Sequence, residues 1–226
     1  MLNLQTGMDD ILKSIRIDLR RSMNGDVSKN MRDKGLDYKI NFGIDIIRLR
    51  TLAKRHEPNA ELAQLLWDQQ PRELKMMASM LYPPQEFTIE KAEEWIRQIP
   101  THEIREQLCM NLLQNLSFAD VLVSNWLSYD DEEIQISGLW LVSRIVLSKS
   151  DVVSKLDLNF IIDKAIMHLR SENYFMRMAS QNALKFMGRI STDIALLILN
   201  KLDSYKNSVD TVDKEIYNSL SFEYDL

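Results

Sequence analysis

Apolar residues recur at three- and four-residue intervals along nearly the whole chain. Ile11, Ile15 and Leu19 share one face of a helix around residues 7–23, and Asn24-Gly25 ends it. A looser segment, DVSKNMRDKGLDYKINFG, follows. Ile44, Ile47, Leu49 and Leu52 then mark a helix near 43–56, stopped before Pro58. From there the pattern predicts helix pairs: 59–68 with 71–82, 88–98 with 101–116, 118–128 with 131–148, 158–169 with 173–188, and 192–202 with 209–220. Pro83-Pro84 separates the first pair from the second. No stretch shows the two-residue alternation of a strand.

The second helices of these pairs resemble one another. Each carries an apolar residue followed four positions later by a small or apolar one: Leu74/Ala78, Ile104/Leu108, Ile134/Gly138 and Phe175/Ala179. The first members lie 30, 30 and 41 residues apart. Two helices per unit at that period predict an all-α, HEAT-like helical-repeat solenoid, since each pair leaves an apolar face that only its neighbour covers. The expected layout is one curved domain: N-terminal helices in 1–42, repeats in 43–190, a C-terminal helix pair in 191–220 and a tail at 221–226. Ligands of such folds lie on the concave face, which one helix of each pair builds.

Composition fits this picture. The chain has 226 residues, and its 6 glycines and 5 prolines are too few for a turn-rich β fold. Cys109 is the sole cysteine, so no internal disulfide forms, which suits a reducing compartment. No run approaches the roughly 20 apolar residues of a membrane span, and the N-terminus lacks a signal-peptide pattern. The expected location is cytoplasmic, with no membrane partner. Charge is uneven: residues 1–55 hold 12 Lys/Arg against 7 Asp/Glu, and residues 56–226 hold 16 against 26. The basic N-terminal part can approach phosphates; equally, Arg16, Arg20 and Arg21 can form a solvated helix face.

One short stretch, QIPTHEIREQLC at 98–109, concentrates candidate chemistry. His102, Glu106 and Cys109 fall on one helical stripe, but HEIRE lacks the second histidine of a zinc-protease helix, and no metal is expected. Thr101 suits an N-cap, and Glu103 and Glu106 suit the positive end of a helix dipole. No Gly-rich phosphate loop and no Ser-His-Asp arrangement is present; DYKINFG holds a lone glycine. Trp95, Trp126 and Trp140 read as core, as do Met76, Met77, Met80, Met176, Met178 and Met187.

The run INFGIDIIRLRTLAKRH, followed by ELAQLLWDQQPRELKMMASML, resembles the helical-repeat alkylpurine DNA glycosylases, the AlkD-like DNA alkylation repair proteins. The likeness rests on Phe42-Gly43-Ile44, on Leu49-Arg50-Thr51-Leu52-Ala53-Lys54, on Leu66-Trp67 and on Glu73 with Met76 to Leu81. NYFMRMASQNALKFMGR resembles a later helix of that family. The resemblance covers about residues 38–190. It implies a stack of HEAT-like pairs with a basic concave face that cradles duplex DNA. It also implies excision of cationic N-alkylpurines without metal or cofactor, through a carboxylate that stabilises charge developing on the sugar. Two tryptophans and an arginine hold the lesion in that family.

Laid on this sequence, the family's Trp-Asp-x-x-Asp falls on His102, Glu103 and Glu106. The arginine falls on Gln135 and the second tryptophan on Asn182. Of the four functional positions, the two tryptophans, the arginine and the catalytic aspartate, only the last keeps its chemistry, as Glu106 with one methylene more than aspartate. The expected function is therefore DNA binding with weak, altered or lost excision; the alternative is a non-enzymatic scaffold for a protein partner. Arg105, Arg177 and Lys185 are the expected backbone contacts. Arg50, Lys54, Arg72, Lys75, Arg144, Lys164, Arg170 and Arg189 are further candidates.

Overall fold

A computed structural model describes residues 2–36 and 38–225, with side chains from residue 7 onward. Among the described residues every regular element is helical. The chain divides into two compact units, residues 1–116 and 117–226.

The first unit contains α1 (Leu2–Arg21), α2 (Gly25–Asp33), α3 (Ile46–Ala53), α4 (Ala60–Trp67), α5 (Arg72–Leu81), α6 (Ile89–Ile96) and α7 (His102–Asn111). α5 packs on α3, α4 and α7, so second helices contact second helices. The first helices meet through aromatic rings. Trp67 of α4 and Trp95 of α6 are both fully buried and stack in parallel at 4.1 Å. Each indole N–H donates to a glutamine of the other helix pair, Trp67 Nε1 to Gln98 at 2.8 Å and Trp95 Nε1 to Gln64 at 3.0 Å.

The second unit contains α8 (Ala119–Ser128), α9 (Glu132–Leu147), α10 (Leu158–Met167), α11 (Tyr174–Gly188), α12 (Thr192–Lys201), α13 (Asp203–Lys206) and α14 (Thr211–Glu223). α9 and α11 form its centre, flanked by α8, α10 and α12. Gly138 lets α9 approach α8: a Cβ there would meet Leu127 Cδ2 at 3.0 Å.

The repeat reading holds with local differences. Leu74, Ile104 and Ile134 are buried as expected. Phe175 is 40% exposed, and its neighbour Met176 takes the buried place. α2 falls in the segment read as loose. Its apolar face is only Val27 and Met31, one turn apart, and it buries only Ser28; Asn24 caps it by accepting from Val27 N, so Asn24-Gly25 both ends one helix and starts the next. At the C-terminus, residues 221–223 of the expected tail continue α14, and Tyr224 packs beyond them.

The lone glycine of DYKINFG has a defined task. Gly43 sits at φ +69°, and a Cβ there would overlap the Asn24 carbonyl oxygen and lie 2.7 Å from Ser28 N. Both obstacles are backbone, so they cannot swing aside. Gly43→Ala is expected to cost about 2–4 kcal/mol in urea unfolding, from left-handed strain plus overpacking. A loss under about 1 kcal/mol would mean that the contact relaxes freely.

Candidate functional site

The start of α7 fixes the geometry of the first unit's candidate residues. Thr101 accepts from Ile104 N and sets the first turn at His102. His102 and Glu106 then lie one turn apart on the same stripe. Arg105 Nη1 lies 3.1 Å from His102 Nδ1. Arginine can only donate, so Nδ1 accepts. Nε2 of the ring lies 3.3 Å from Glu106 Oε1. The Glu106 side chain is 38% exposed and the His102 side chain 9%. Arg105, expected to line a DNA groove, is only 4% exposed; its guanidinium is engaged inside the unit.

Glu103 turns the other way. Arg72 grips it with two parallel bonds, Nε to Oε2 at 2.8 Å and Nη2 to Oε1 at 2.5 Å. The Tyr38 hydroxyl donates to Oε2 at 2.5 Å and lies 2.7 Å from Thr101 Oγ1. Arg72 also reaches Glu73 Oε1 and the Ile44 carbonyl, each at 3.0 Å. Glu73 in turn accepts from the backbone N–H groups of Phe42 and Ile44. The loop 38–44 is thereby clasped to the first turns of α5 and α7. Burial opposes the charge on Glu103, but the hydrogen bonds from Arg72 and Tyr38 and the Arg72 charge outweigh it and hold Glu103 below the usual glutamate range. Burial likewise opposes the charge on Arg72, and Glu103 and Glu73 more than offset it. Burial, then the hydrogen bond to Glu103, raises the Tyr38 hydroxyl well above an ordinary phenol.

In the second unit, Gln135 is 8% exposed and donates to the Tyr129 carbonyl at 2.5 Å, holding the turn before α9. Asn182 is half-buried on α11. Arg177 donates from Nη1 to the carbonyls of Ser171 and Glu172, at 2.6 and 3.0 Å, and lies 5.9 Å from the centre of the Tyr174 ring. Lys185 is paired with Glu223, which also holds Arg189. Arg72, counted among the sequence's groove cations, is 2% exposed. The sequence reading did not single out Tyr38 or Glu223. Tyr38 lies in a segment without periodicity, and Glu223 lies in the expected tail.

Among the described residues, no group of three or more His, Cys, Asp or Glu is placed to hold a metal ion, and no helix is long and apolar enough to cross a membrane. At the start of α7, Glu106 is a partly exposed carboxylate beside an imidazole.

Comparison with known proteins places this arrangement. One solved structure is described as "A new family of proteins related to the HEAT-like repeat DNA glycosylases with affinity for branched DNA structures". It superposes with a TM-score of 0.77 at 15% identity, covering 93% of this chain and 94% of that one. At that identity the likeness establishes the HEAT-like repeat fold. A designed armadillo repeat protein aligns with a TM-score of only 0.40, at 13% identity over 78% of this chain and 91% of its own. No curated protein sequence matches. The family model described as "DNA alkylation repair enzyme" matches residues 15–216. With that match spanning nearly the whole chain and the helix-pair architecture agreeing, the chain belongs to the DNA alkylation repair enzyme family.

Proposed function

We propose that this protein binds duplex DNA and has weak or no alkylpurine excision activity. The observation that carries the reading is the His102–Glu106 pair. Where the family resemblance places an indole and a catalytic carboxylate, this chain has an imidazole 3.3 Å from a glutamate one turn later. Glu106 keeps a carboxylate, but the imidazole beside it offers no indole face to hold a lesion against that charge. Glu103 adds nothing, because Arg72 and Tyr38 occupy both its oxygens. The position of the phosphate-clamping arginine holds Gln135, whose amide is committed to Tyr129. Mispositioning of about 1 Å costs on the order of 10²-fold in rate, and here the anchoring groups themselves are replaced.

Binding needs only cations on an accessible face. Arg48 of α3 and Lys54 just after it make no ion pair among the described residues. Lys54 and Arg50 line an open cleft of about 570 Å³ with Met80 and Met110. The neighbour with affinity for branched DNA makes a branched substrate the natural second ligand.

The test has two arms. Duplex DNA carrying N7- or N3-methylpurines is incubated with wild type and with Glu106→Gln, and free base is measured. The expected result is release at or near the spontaneous rate for both. Robust release by wild type that Glu106→Gln abolishes would overturn the loss of chemistry. In parallel, affinity for unmodified duplex and branched DNA is read against salt. It is expected to fall steeply, with a log–log slope of about −0.9 per phosphate neutralised. A flat response would favour a protein partner instead.

A further inference from the structure

Lys185 and Arg189 lie one turn apart on the same face of α11, and a single carboxylate bridges them. Glu223, from the last turn of α14, gives Oε1 to Arg189 and Oε2 to Lys185. The Glu223 side chain is 16% exposed, whereas the two cations are 48% and 39% exposed. Two cations that each take one oxygen of an anion match the two non-bridging oxygens of a phosphodiester as well as those of a carboxylate. We infer that Lys185 and Arg189 form a phosphate seat on the second unit, and that the protein's own Glu223 fills it as an internal competitor of the DNA backbone. The inference rests on the DNA-binding reading above and deepens it.

The surroundings make exchange easy. α14 buries only Ile216 and Leu220 along its 13 residues. Its C-terminal end is held separately by Tyr224, whose hydroxyl donates to the Leu184 carbonyl at 2.7 Å. The Tyr224 ring lies so close over Gly188 that a Cβ on that glycine would overlap it. That anchor acts next to Glu223 and not through it. The carboxylate can therefore swing away while the helix stays docked. A partly exposed ion pair is weak enough for a polyanion to displace. The setting also gives the competitor weight. Residues 117–226 carry 11 Lys/Arg against 16 Asp/Glu, so masking two cations removes a real share of the attraction available there.

The experiment uses the full chain and a short fluorescein-labelled duplex, with anisotropy read across a salt series. Glu223→Gln is expected to bind about three- to tenfold tighter than wild type at low salt, with a steeper salt dependence. Glu215→Gln, an exposed charge on the same helix, is the control for net charge, and it is expected to bind as wild type does. Lys185→Gln/Arg189→Gln is expected to abolish the whole gain in the Glu223→Gln background. Melting curves of each variant, expected to match wild type, show that Tyr224 keeps α14 docked. Three outcomes overturn the seat while leaving DNA binding intact: no gain in Glu223→Gln, an equal gain in Glu215→Gln, or a gain that survives loss of both cations. Absence of binding by wild type and every variant at low salt overturns this inference and the DNA-binding reading together.

Discussion

Trp95→Ala is expected to destabilise the protein by about 3–5 kcal/mol, read as a fall in the urea midpoint with an unchanged slope. Trp95 is fully buried, so its removal takes away the transfer free energy of a large ring and leaves a cavity. It is also the hub of an aromatic cluster. Trp67 stacks on it at 4.1 Å, while Tyr82 and Phe87 present their edges to it at 5.5 and 5.2 Å. Such pairs add about 0.5–1.5 kcal/mol beyond area. The Gln64 side chain would lose its indole donor as well. Trp95→Phe separates these effects: it keeps a ring in the stack and gives up the hydrogen bond, and a loss of about 1–2 kcal/mol is expected. A cost below about 2 kcal/mol for Trp95→Ala would show that α4 and α6 collapse onto each other and that the stack does not hold them in register.

That cluster shows how far the sequence could be read. Trp95 and Trp126 are core residues by periodicity alone, and both are fully buried. The repeat also appears in the contacts. Gln64 to Trp95, Trp67 to Gln98 and Arg72 to Glu103 each span 31 residues, one repeat of 30 plus one position. The chain pattern contained the signal for the last of these. Glu73, Glu103 and Glu133 each stand just before the apolar anchor of a second helix. Such glutamates serve the helix dipole, which is how Glu103 reads in isolation. The lateral neighbour of Glu103 is the residue beside its counterpart one repeat earlier, Arg72, and periodicity of apolar positions does not report that. Elements with few apolar residues stayed invisible for the same reason. α2 is held by a cap and by Ser28 Oγ donating to the Asn41 carbonyl at 3.0 Å, and the 38–44 loop by backbone N–H groups on Glu73. At the candidate site, the family resemblance proposes which residues stand at the functional positions. It could not show that Glu103 points inward while Glu106 stays partly exposed, because orientation within a turn depends on Arg72 and Tyr38 from elsewhere in the chain.

Arg72→Met is the second large effect, expected at about 3–4 kcal/mol in the same unfolding assay near neutral pH. Removing one partner of a buried pair leaves the other charge uncompensated, which typically costs 3–5 kcal/mol. Two facts keep the estimate in the lower half of that range: the Glu103 side chain is 23% exposed, and Glu73 retains two backbone N–H donors. The double variant Arg72→Met/Glu103→Leu discriminates charge from packing. With both members of the pair apolar, much of the loss is expected to return, since apolar replacement of a whole buried pair is often neutral. pH supplies an independent check. The folded-state pKa of Glu103 is depressed, so its contribution is fully present above the usual glutamate range and is lost as pH falls through the folded value. Wild type is therefore expected to lose more stability than Arg72→Met on acidification through and below that range, and the two unfolding curves should converge. Curves that stay parallel to the acid limit would show that Arg72 stabilises the clasp through the Ile44 carbonyl and its packing, with the charge on Glu103 contributing nothing. The same variant also reports on the site. Glu103 and Thr101 define the first turn of α7, so a slackened clasp would free His102 and Glu106 from their fixed spacing. Chemical shifts of the His102 ring are expected to move in Arg72→Met even under conditions where the protein remains fully folded.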